Sequence, residues 1–138
     1  MKFEKLIGIE KILGQSHNDP GSGGKPIQSL YEGIVDRNPQ LSKHEAKGTF
    51  LNFVEYLLKQ DMVQLYGAYD KKNDHEEKWE GSIEEIMSKL RNFVENLSPK
   101  KLEETSVYFY EFNYCFLVWK VEWTEVLKRF NLEEGSNE

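Results

Sequence analysis

Apolar positions along the chain fall into segments whose spacing alternates between helical and strand-like. Phe3, Leu6, Ile7, Ile9, Ile12 and Leu13 follow mixed three- and four-residue steps, which predicts a short amphipathic helix. Residues 14–26, Gly-Gln-Ser-His-Asn-Asp-Pro-Gly-Ser-Gly-Gly-Lys-Pro, concentrate turn formers and predict a flexible loop that separates this helix from the body of the protein. Pro26 suits the start of a helix carrying Ile27, Leu30, Tyr31 and Ile34 on one face, and Asn38-Pro39 stops it. Ser42 and Glu45 form a capping-box pattern, and the stripe Phe50, Phe53, Val54, Leu57 and Leu58 behind it predicts a buried helix face that ends at Asp61.

Residues 62–69, a short run of apolar, aromatic and β-branched side chains with one glycine, read as a strand. After a polar stretch, Ser82 and Glu85 repeat the capping box ahead of Ile83, Ile86, Met87, Leu90, Phe93, Val94 and Leu97. Ser98-Pro99 then opens a short helical turn. Residues 107–112 and 114–123 are dense in β-formers and predict a strand pair around Asn113. In the second strand Cys115, Leu117, Trp119, Val121 and Trp123 face one way and Lys120 and Glu122 the other. Thr124 is placed to cap a last helix with Val126, Leu127 and Phe130, and residues 133–138 form a frayed polar tail. The pattern is α+β: a mainly helical single domain with a small antiparallel β-sheet from its central and C-terminal segments.

At 138 residues, with 38% hydrophobic and 13% aromatic side chains, the chain can bury one core. The apolar N-terminal positions are interrupted by charges, which predicts no secretion signal, and no run approaches the roughly 20 apolar residues of a membrane span. The single cysteine, Cys115, lies in an apolar run without a partner, so no disulfide framework is expected and a cytoplasmic, reducing compartment fits.

The candidate chemical motifs fail on their spacing. Gly24-Lys25 is followed by Pro26 where a P-loop needs Ser or Thr, and Asp19 stands where its first glycine belongs, so no nucleotide cofactor is expected. His17, His44 and His75 are far apart in polar settings and show no metal-ligand spacing. The neighbours of Cys115, Tyr114 and Phe116, predict a buried structural thiol rather than a nucleophile. His75, Glu76 and Glu77 would be acid–base groups only if they lined a pocket; otherwise they are solvated. The expected protein is therefore not an enzyme and carries no metal or cofactor.

Charge offers a more specific lead. The net charge is −6, from 24 acidic and 18 basic residues, which disfavours direct contact with nucleic acid and favours a basic protein partner. Within residues 70–85, Asp70, Asp74, Glu76, Glu77, Glu80, Glu84 and Glu85 stand against Lys71, Lys72 and Lys78, a local balance of −4. One reading is a solvated loop leading to a helix start whose acids complement the macrodipole. The other is an anionic docking patch in which Tyr69 and Trp79 act as exposed aromatic anchors beside these carboxylates.

The segments Phe50-Leu51-Asn52-Phe53-Val54-Glu55-Tyr56-Leu57-Leu58, Met62-Val63-Gln64-Leu65 and Trp79-Glu80-Gly81-Ser82-Ile83-Glu84-Glu85-Ile86 resemble the bacterial family known as domain of unknown function 596. The similar region runs from about residue 50 to residue 123. The part up to Pro39 has no counterpart, and residues 113–123 lack the family's proline and glycine turns. The resemblance implies an immunity protein of a contact-dependent growth inhibition or polymorphic-toxin system, one that protects its own cell by binding a cognate toxin, most often a nuclease. Such a toxin carries a cationic substrate channel, and an acidic inhibitor would be steered onto it. The alternative is a non-catalytic regulatory or adaptor protein that binds an endogenous protein partner.

Overall fold

The computed structural model describes residues 6–70, 75–95 and 115–132. Gly8, at φ 75°, turns the chain into helix α1, Ile9–Ser16. A Cβ at that position would lie 2.8 Å from Arg37 Cδ, so both the backbone angle and the available space call for glycine. The helix therefore starts later than the apolar spacing predicts, with Leu6 and Ile7 outside it, while Gly14, Gln15 and Ser16 complete its last turn instead of opening the loop. Its position is set by packing. Ile12 and Leu13 are fully buried, and α1 rests on α2, Gln28–Arg37. The absence of a side chain at Gly33 lets the two backbones approach: a Cβ there would lie 3.3 Å from Ile12 Cα. The N-terminal helix is thus part of the body rather than separated from it.

The expected loop is also held at its far end. Lys25–Pro26 forms a two-residue strand, β1, and the Lys25 ammonium donates to the Gln15 carbonyl at 2.9 Å. α2 follows directly, with Leu30, Tyr31 and Ile34 buried. Asn38 ends it from a buried position where its amide reaches the Ile34 carbonyl at 3.0 Å.

Helix α3, Lys43–Lys59, begins at the predicted capping box. Ser42 Oγ accepts from the Glu45 N–H at 3.1 Å, and the Ser42 N–H donates to Glu45 Oε1 at 2.9 Å. Of the predicted stripe, Phe50, Phe53, Val54 and Leu57 are fully buried and Leu58 is partly buried against the same core. Gln60 caps the end, and Asp61 at φ 55° redirects the chain into β2, Val63–Asp70. The remaining elements are β3, His75–Lys78; α4, Ile83–Glu95; β4, Phe116–Trp119; and α5, Trp123–Arg129.

The four strands form an antiparallel sheet in the order β1-β4-β2-β3. Val63 faces Trp119 and Leu65 faces Leu117 across β2 and β4. These four side chains are buried, at 3% exposure or less, and join the helix side chains in one core. Cys115, Leu117 and Trp119 thus share a face as the alternation predicts. The strand stops at Trp119, however, and Trp123 opens α5. Glu122, extended at φ −74° and ψ 162°, is the residue before that helix, so Thr124 lies inside it rather than capping it. The architecture is α+β, mainly helical with a small antiparallel sheet. The predicted strand at 107–112, the turns at Ser98-Pro99 and Asn113, Phe3 and the tail at 133–138 lie outside the described residues.

Trp119 is the largest fully buried side chain, and its Nε1–H donates to the Ser16 carbonyl at 3.0 Å. A Trp119→Phe substitution leaves that carbonyl unpaired and removes ring volume. Urea unfolding should show a loss of about 2–4 kcal/mol. Ser42→Ala, which removes only a cap, should cost about 1 kcal/mol.

Candidate protein-binding surface

The acidic stretch that the sequence reads as a polar loop is organised by pairing with β2. In β3 the residues His75-Glu76-Glu77-Lys78 have little strand preference of their own, yet Asp70 faces His75, Tyr69 faces Glu76 and Tyr66 faces Lys78. Between the last two pairs β2 advances three residues while β3 advances two, so β2 carries a bulge near Gly67. Among the described residues β3 is an outer strand of the sheet.

The hairpin is tied down at its β3 end. The Trp79 N–H donates to the Leu65 carbonyl at 3.0 Å, and Gln64 Nε2 donates to the Trp79 carbonyl, also at 3.0 Å. Trp79 is 6% exposed and belongs to the core, with Lys89 Nζ 4.5 Å from the centre of its ring. This corrects the reading of Trp79 as an exposed anchor: it fixes where the strand ends and α4 begins, and its ring is covered by a cation.

Gly81, at φ 117°, then turns the chain into the second capping box. Ser82 Oγ accepts from the Glu85 N–H at 3.1 Å, and the Ser82 N–H donates to Glu85 Oε1 at 3.0 Å. Glu85 is solvent-exposed but engaged, and its pKa is lowered chiefly by the hydrogen bond from the Ser82 backbone. Glu80 and Glu84 are exposed and form no ion pair among the described residues. Glu84 sits in the first turn of α4, where its charge favours the helix dipole. Tyr69, Asp70, Glu76 and Glu77 are positioned by strand register, and Asp74 lies outside the described residues. The acidic strip is thus a run of backbone positions: Glu76 and Glu77 on successive places of β3, Asp70 on β2 opposite His75, and Glu80, Glu84 and Glu85 around the start of α4.

The other candidate groups occupy structural positions. Cys115 is fully buried, and desolvation pushes its thiol far above the ordinary range against a smaller pull from Lys89. His17 is not in the polar setting expected from its neighbours. Its ring lies 5.1 Å from that of Trp119 and 5.3 Å from that of Trp123, with Nε2 3.0 Å from the Val121 carbonyl. His44 is exposed on the first turn of α3. Among the described residues no group of three or more His, Cys, Asp or Glu side chains is placed to hold a metal ion, and no helix is long and apolar enough to cross a membrane.

No family model matches the chain, and no curated protein or solved structure is significantly similar to it.

The two capping glutamates give a pH signature. Ser42 holds Glu45, and Ser82 holds Glu85, below the ordinary carboxylate range. A carboxylate whose pKa is lower folded than unfolded contributes stability above its unfolded pKa and loses it as pH falls through the folded value. Carboxyl NMR titration should therefore show both midpoints below those of unpaired glutamates. Ser82→Ala removes the hydroxyl but keeps the backbone N–H that is the main cause, so the Glu85 midpoint should rise only part of the way toward the ordinary range while that of Glu45 stays unchanged.

Proposed function

We propose that the chain is a cytoplasmic immunity protein that binds and neutralises a cognate bacterial toxin, a nuclease, by laying its acidic strip over the toxin's cationic active-site surface. The observation that carries the location is the course of β3 into α4. Buried Trp79 and the Ser82 cap anchor the chain between acidic positions at Glu76 and Glu77 on β3 and at Glu80 and Glu84 around the start of α4, with Asp70 paired to β3 through His75. Such positions attract a cationic surface over several ångströms and speed encounter, and a rigid support lowers the ordering cost of the bound state. The nature of the partner rests on the resemblance of residues 50–123 to the bacterial family of immunity proteins. No chemistry by this chain is required, because occluding the toxin's substrate channel is enough to protect the cell.

The test is co-expression with the toxin encoded beside the gene. The pair should copurify and growth should be rescued. Failure of both sinks the proposal. Reversing Glu76, Glu77, Glu80 and Glu84 to lysine should slow association by about tenfold or more at low salt and flatten its dependence on ionic strength. Asp19→Lys, on the exposed loop, should leave the rate within about twofold. The four reversals change the net charge by +8 and Asp19→Lys by +2, so an equal effect per unit of charge would mean that net charge rather than the strip governs binding.

A further inference from the structure

A second surface of the protein has the opposite character to the acidic strip. Ile7 is the large apolar side chain left exposed among the described residues, at 60%. Its backbone is held firmly: its N–H donates to Asn38 Oδ1 at 2.9 Å, and Asn38 Nδ2 donates to its carbonyl at 3.2 Å. Asn38 is itself buried and bonded to α2, so Ile7 is presented outward from a fixed point instead of on a loose end.

Beside Ile7 lies a cavity of about 790 Å³ walled by Leu6, Ile7, Ile9 and Leu132. Glu10, Lys11, Asp36 and Arg37 also line it. Two acids and two bases cancel there, in a chain whose net charge is −6. None of the four forms an ion pair among the described residues, and Arg37 donates instead to Gln15 Oε1 at 3.1 Å.

We propose that this patch is the interface of a symmetric homodimer, in which the Ile7 side chain of each copy enters the cavity of the other. In a two-fold interface a single patch must supply both halves of every contact, and this one carries a projecting apolar side chain and an apolar recess together. Its charges satisfy the same requirement, since each sign is present to meet its opposite across the axis. Elsewhere the negative excess repels a second copy; here that repulsion is locally absent. The fixed Ile7 backbone further reduces the ordering cost of association. The acidic strip uses other residues, so the dimer stands or falls independently of toxin binding.

Sedimentation analysis of the full chain across roughly 1–100 μM, a range that brackets modest interfaces, tests the proposal. The wild-type protein should shift from the mass of one chain to that of two as concentration rises. Ile7→Glu places a charge in the recess and should abolish the dimer, and Lys11→Glu should weaken it about tenfold by reversing one of the two positive charges of the patch, leaving Arg37 against three acids. Both side chains are exposed, so far-UV circular dichroism should be unchanged. A wild-type protein that stays monomeric throughout overturns the proposal. So does a dimer whose dissociation constant is the same in both variants.

Discussion

The hydrogen bond between the Trp119 indole and the Ser16 carbonyl joins the two ends of the fold. Trp119 is the largest fully buried side chain, and an indole N–H buried without a partner would offset much of what its ring contributes. The end of α1 supplies that partner, which fixes α1 against β4. The next residue, His17, then lies against the rings of both Trp119 and Trp123. From there the chain crosses to β1, which pairs with the outer side of β4. One buried polar contact thus determines where the glycine-rich segment starts, and strand pairing determines where it ends.

The central sheet passes this order outward. β4 pairs with β2, β2 pairs with β3, and the Leu65 carbonyl receives the N–H of Trp79. The acidic positions on β3 and at the start of α4 are therefore supported by the same core that holds α1. A charged strip on such a support can meet a partner without first paying to order a loop.

The sequence was most legible where structure is local. Both capping boxes depend on residues three apart, and both form with the expected bonds. The α3 stripe and the alternation of Cys115, Leu117 and Trp119 are likewise visible because burial follows from periodicity alone. Long-range contacts were not legible. His75-Glu76-Glu77-Lys78 becomes a strand only because β2 offers it an edge, and Trp79 becomes a core residue because that pairing turns it inward. The helical state of Gly14-Gln15-Ser16 depends on β4, over a hundred residues away for the Ser16–Trp119 bond. Nor does local pattern reveal that Asn38 spends its amide on Ile7, since that pairing spans 31 positions. For the candidate site, the acids themselves were readable as a charge excess, whereas their arrangement along an outer strand was set by the sheet.

On the proposed function, the toxin is met along β3 and the first turn of α4. Hydrogen exchange of backbone amides, measured on the free protein and on its complex with the toxin encoded beside it, tests this most directly. Slowed exchange is expected between Glu76 and Glu85, with the amides around Ile7 and Leu132 unchanged at equal oligomeric state. Slowing confined to other parts of the surface, with residues 76–85 exchanging as in the free protein, would contradict it.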